Sequence, residues 1–111
     1  MMFKGEIEYR SPYYSWKHSE PGISVERYEK FVNWVSGEYD LLLQDETDGL
    51  IVFSPNGWVS INNAPDTGGQ INLMLTVNHK SKKESDKIIS ELCEIYRHVL
   101  RIMEKPVMIA K

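Results

Sequence analysis

Disulfide support is missing from this sequence. A single cysteine, Cys93, stands among 111 residues, so no internal bridge can form. That usage suits a reducing compartment. Long apolar runs are missing too, and nothing approaches the roughly 18 consecutive apolar residues of a membrane-spanning helix. The opening MMFKGEIEYR alternates apolar and charged residues and lacks the apolar run of a secretory signal. A cytoplasmic protein without membrane contact is therefore expected. Basic residues are not in excess. With 13 Lys and Arg against 16 Asp and Glu, the formal charge is −3, which gives direct nucleic-acid binding no support.

Catalytic motifs are equally scarce. No CxxC, HExxH or GxSxG occurs, and no glycine pattern of the Walker or Rossmann type. His18, His79 and His98 are far apart and match no metal-ligand spacing. Cys93 falls at the edge of an apolar helical arc, where a small buried thiol is expected rather than a nucleophile. The expectation is a non-enzyme that carries no metal and no cofactor. Repeats, linkers and low-complexity segments are also absent.

What is present is a globular composition. The chain is 41% hydrophobic and 26% charged, and its length suits one domain, residues 1–111, with a core of its own. Charge is unevenly spread. Residues 1–70 carry eleven acidic and five basic side chains, a net −6, and residues 71–111 carry five and eight, a net +3.

The most informative stretch is LIVFSPNGWVSIN, Leu50–Asn62. It reads as two strands joined at Ser-Pro-Asn-Gly. A type I turn closed by a glycine bulge pairs Ser54 with Trp58 and gives Gly57 a positive φ. That register places Ile51, Phe53, Val59 and Ile61 on a core face. Leu50, Val52, Trp58, Ser60 and Asn62 fall on the other.

Elsewhere, Phe3–Arg10 alternates like a half-buried strand. Ser11–Gly22, with two prolines, reads as a loop. Ser24 is an N-cap, with Ile23 stapling onto Tyr28, for a helix whose Val25, Tyr28, Phe31, Val32 and Val35 share an arc and whose stop is Gly37. Tyr39–Gln44 is a strand, Asp45–Gly49 an acidic turn and Asn62–Gly69 a loop. Gln70–Val77 alternates again, with Ile71, Leu73, Leu75 and Val77 on one side.

Ser81-Lys82-Lys83-Glu84 has capping-box spacing. It opens a second helix with Ile88, Ile89, Leu92, Ile95, Tyr96, Val99, Leu100 and Met103 on one arc, and Pro106 ends it. Val107–Ala110 reads as a last short strand. The order β-α-β-β-β-β-α-β, with short central connections, predicts an α+β fold: a mainly antiparallel sheet with two helices packed on one face.

Four places have surface chemistry. Tyr13, Tyr14, Trp16 and His18 crowd the Ser11–Gly22 segment, and aromatic residues concentrate in interface hot spots. Trp58, with Leu50, Val52 and Met74 among Ser60, Asn62, Asn72 and Thr76, makes a mixed sheet face suited to a partner or a homodimer. Glu38, Asp40, Asp45, Glu46 and Asp48 form an acidic run. It is not an EF-hand, because Pro55 stands where that loop needs its bidentate Glu if Gln44 is the first position. Lys80, Lys82 and Lys83 surround a helix start that suits an anion.

These features point first to a small protein-binding domain. An immunity or inhibitor protein that occludes a toxin enzyme is the sharper form, its acidic run filling a basic cleft. The other reading is a small-molecule or nucleotide-binding module built from the aromatic segment and the lysine-rich helix start.

Overall fold

A computed structural model of the protein describes residues 3–104. The strands are β1 (Glu8–Arg10), β2 (Tyr13–Ile23), β3 (Leu43–Asp45), β4 (Leu50–Ser54), β5 (Gly57–Pro65) and β6 (Ile71–His79). Helix α1 (Val25–Glu38) follows β2, and α2 (Lys82–Glu104) follows β6. All six strands form one antiparallel sheet in the order β1-β2-β6-β5-β4-β3. Both helices pack against one face of it, so the fold is α+β. The expected strand at Val107–Ala110 lies outside the described residues.

The largest departure from the sequence reading is β2. The segment expected to be an aromatic loop is an eleven-residue strand. Alternation along it sends Tyr14, Trp16, His18 and Glu20 toward the helices, and Tyr13, Ser15, Lys17 and Ser19 away from them. Few of the helix-facing residues are aliphatic, so the usual apolar alternation is not visible. Pro21 sits where the β2–β6 register shifts, between Glu20 and Ile23, a bulge position at which proline is tolerated. At the other end, Phe3–Arg10 keeps only three residues as a strand. Gly5, at φ 107°, takes the chain out of extended geometry. Phe3 then folds over the core end and packs on Trp16 and Tyr96.

The central hairpin forms, but one residue out of the expected register. Ser54 pairs with Gly57 and Phe53 with Trp58, so the loop is Pro55-Asn56 alone. A shift of one residue exchanges the faces of a strand. Leu50 and Val52 are therefore buried with Val59 and Ile61, whereas Phe53 is exposed. Gly57 does not have a positive φ. A side chain there would collide with the Asn78 carbonyl oxygen of β6. Glycine is needed at position 57 for close approach to the next strand, not for a turn conformation.

The helices follow their caps. Arg27 N–H donates to Ser24 Oγ at 3.0 Å, and Glu84 N–H to Ser81 Oγ at 3.2 Å. Gly37 does not stop α1, which runs on to Glu38. Gln44 serves its end instead, donating from Nε2 to the carbonyls of Ser36 and Tyr39 at 2.9 and 2.8 Å. Those carbonyls are among the orphan acceptors of a helix C-terminus. Residues 39–42 are spent on this turn, so the expected strand Tyr39–Gln44 shortens to β3. Val25 is exposed, while Tyr28, Phe31 and Val35 enter the core. From α2, Ile89, Leu92, Cys93, Tyr96 and Val99 are buried against the sheet and α1.

Leu92→Ala should lower unfolding free energy by about 2–5 kcal/mol in chemical denaturation, as a large-to-small change in a packed core. The glycines separate cleanly in the same assay. Gly57→Ala should cost about 1–3 kcal/mol through overpacking against β6. Gly37→Ala meets nothing within 4 Å on a helix and should gain about 0.5–1 kcal/mol.

Candidate functional site

The sheet face away from the helices has no covering layer among the described residues. Strand register sets its rows. Leu43, Phe53, Trp58, Asn78, Ser15 and Glu8 lie side by side across all six strands. One pleat further along, Asp45, Ile51, Ser60, Thr76 and Lys17 form the next row. Tyr13 sits beyond the first row and meets Trp58 edge-on, with ring centroids 5.1 Å apart.

The face is chemically divided. Its β3–β4–β5 half carries the apolar row Leu43, Phe53 and Trp58, with Asp45 beside it. Leu43 is 74% and Phe53 40% exposed, values far from those of a core. The β1–β2–β6 half carries Arg10 and Lys17 among hydroxyl and amide side chains.

The acidic residues are split by the chain's path. Asp45 lies one row from the apolar row, Glu46 and Asp48 lie in the turn between β3 and β4, and all three are exposed. Glu38 and Asp40 are also exposed but belong to the end of α1 and the turn after it. Asp45 holds its carboxyl below the usual carboxylate range, because the Thr47 side chain and backbone both hydrogen-bond to it. The Thr47 N–H reaches Asp45 Oδ1 at 2.8 Å. Among the described residues, no three His, Cys, Asp or Glu side chains converge as metal ligands do.

The four aromatic-segment residues do not act together. Only Tyr13 joins the open face. Tyr14 packs on Tyr9 with tilted rings, centroids 4.8 Å apart, and Trp16 is buried. His18 lies beneath Phe3, with Nε2 2.8 Å from Glu20 Oε1 and Nδ1 against the Lys4 backbone. Leu50 and Val52, expected on the mixed face, are core residues for the register reason given above.

Lys80, Lys82 and Lys83 are exposed around the start of α2. Lys82 pairs with Asp86 at 3.3 Å. The backbone there is partly committed, since the Ser81 N–H donates to His79 Nδ1 at 3.0 Å. Lys82 borders a groove that includes Trp16, whereas Tyr13 lies on the open face.

Arg10, Lys17, Leu43 and Phe53 are open-face residues that sequence reading missed. Their signal was the alternation Tyr13-Ser15-Lys17-Ser19, hidden by the prolines, and the parity of β4, hidden by the turn. No protein-family model matches this chain, and no curated protein matches it in sequence.

Thr47→Val should move the Asp45 pKa upward, toward the ordinary carboxylate value, as read by side-chain NMR titration. A depressed pKa favours the folded state above the unfolded value, and that preference fades as pH falls through the folded value. The variant should narrow this acidic window. An unmoved midpoint would assign the whole shift to the backbone N–H.

Proposed function

We propose that this chain is a protein-binding domain whose contact surface is the β3–β4–β5 half of the open sheet face. The observation that carries the reading is the continuous row of exposed Leu43, exposed Phe53 and half-buried Trp58, with Asp45 on the same face and Glu46 and Asp48 in the turn that follows it. An apolar centre with a charged rim is the anatomy of a protein interface. Large rigid side chains at its middle are the type that carries binding energy.

The acidic rim gives the partner a sign. A complementary surface has an apolar contact bordered by Lys and Arg, as in the basic cleft of an enzyme that acts on nucleic acid. An immunity or inhibitor protein that occludes such a toxin enzyme is the form of this function we favour. The lone, buried Cys93 suits a cytoplasmic setting. No described helix is long and apolar enough to cross a membrane.

Site-specific photocrosslinking in the native host tests the reading. A photoreactive phenylalanine analogue at Phe53 should capture a partner. The same analogue at Val25, exposed on α1, should not. Asp45→Asn, Glu46→Gln and Asp48→Asn together should reduce the Phe53 yield and flatten its dependence on salt. Folding should change little, since exposed charges contribute little to stability. Equal capture from both positions would refute the assignment of the face. Capture of a second copy alone would make the surface a dimer interface. An unchanged yield and salt slope in the triple variant would remove the acidic rim from the mechanism.

A further inference from the structure

The β1–β2–β6 half of the open face holds a different chemistry. A depression of about 410 Å³ lies there, within the size range of small-molecule sites. Arg10 and Lys17 line one side, Ser60 and Thr76 the floor, and Tyr13 and Trp58 the turn end. No carboxylate lines it, although the chain has 16 acidic and 13 basic side chains. Every polar side chain of the depression can donate a hydrogen bond.

The two cations are available. Lys17 makes no salt bridge among the described residues. Arg10 contacts Glu8 Oε1 through one guanidinium nitrogen at 3.0 Å and keeps the rest of its fork of donors. Glu6 and Glu8 line an adjoining groove that shares Arg10, Ser15 and Lys17 with the basin. The basin is thus lined by two cations and an aromatic wall, with no carboxylate among its own lining residues.

Spacing narrows the ligand. Trp58 pairs with Asn78, Asn78 with Ser15, and Lys17 lies two residues beyond Ser15. Two strand spacings of about 4.8 Å and a rise of about 6.6 Å put the Trp58 and Lys17 Cα atoms roughly 12 Å apart. A ring against Trp58 and an anionic group at Lys17 are then separated by about the length of a mononucleotide. A longer strand running on across β5 and β4 would bring its next phosphates toward Asp45, where repulsion replaces attraction.

We propose that this basin binds a small ligand of the nucleoside monophosphate class. The planar base stacks on Trp58, the phosphate lies between Lys17 and Arg10, and the sugar hydroxyls meet Ser60, Thr76 and Asn78. Stacking on an aromatic platform tolerates different bases. Charge-assisted hydrogen bonds fix the anionic end. This goes beyond the protein-binding reading and shares only Trp58 and Ser60 of β5 with it.

The test is NMR titration of the ¹⁵N-labelled chain with AMP, adenosine and inorganic phosphate in parallel. AMP should shift the amides of Ser15, Lys17, Ser60 and Thr76 saturably, at a concentration about tenfold below either fragment. Lys17→Glu should weaken AMP by about tenfold or more through loss of a charge-assisted contact. Trp58→Ala should weaken it about fivefold or more, and Trp58→Phe should recover most of that. Lys82→Glu should have no effect. Intermolecular NOEs from the AMP base protons to the Trp58 indole read the stack in the wild-type chain, independent of any variant's folding.

The proposal is overturned if no basin amide moves by about 5 mM AMP, a concentration that reveals even weak binding. Shifts centred on Lys80–Lys83 would also overturn it. So would phosphate matching AMP with no NOE to Trp58, since the ring would then contribute nothing. None of these results depends on whether Phe53 captures a partner.

Discussion

Leu50 and Val52 on β4, Val59 and Ile61 on β5, and Leu73, Leu75 and Val77 on β6 lie beneath the helices, each almost fully buried. Burying side chains of this size contributes about 1.5–3 kcal/mol apiece before chain entropy is offset. That shared burial fixes the parity of three neighbouring strands at once. Because a strand alternates, every residue between them is delivered to the opposite face. Phe53, Trp58, Ser60, Thr76 and Asn78 share one surface because their neighbours share one core. Register is the link between stability and function in this molecule.

The helix layer is held by polar contacts as well as apolar ones. Tyr39, just past α1, donates its hydroxyl to Glu91 Oε1 of α2 at 2.5 Å. Burial, reinforced by Glu91, pushes the Tyr39 phenol well above its ordinary value. Tyr96 is likewise raised by burial, with Arg27 pulling the other way. Arg27 Nε is buried without a hydrogen-bond partner among the described residues. Below Phe3, His18 and Glu20 fill helix-facing positions of β2 with a hydrogen-bonded pair, which avoids the cost of leaving buried donors and acceptors unmade. Strand β2 can therefore lie under the helices without an apolar sequence.

Charge on the open face follows the sheet's edges. Both edge strands are three residues long. Glu8 and Arg10 occupy one edge and Asp45 the other, and short charged edges resist pairing with another chain. Lys17 on β2 adds a cation beside the Glu8–Arg10 pair, while Asp45 puts an anion at β3. Apolar side chains concentrate toward the anionic side, and hydrogen-bond donors toward the cationic one. A surface arranged this way suits the two proposed contacts on adjacent areas.

Local physics made several features legible in the sequence alone. Serine caps at Ser24 and Ser81 located both helix starts. Apolar spacing marked the buried arc of α2 and the inward face of β6, and short connections implied an antiparallel sheet under two helices. These rest on contacts within a few residues, so the chain states them directly. The faces of β4, the strand nature of β2 and the role of Gly57 were decided by tertiary contacts. Pro-Asn-Gly is compatible with more than one hairpin register, and the choice came from packing Leu50 and Val52 under the helices. Gly57 answers to the backbone of β6, 21 residues away in sequence. Trp58, Asp45, Glu46 and Asp48 were visible as surface features, but Arg10, Lys17, Leu43 and Phe53 joined them only when six strands set their register together.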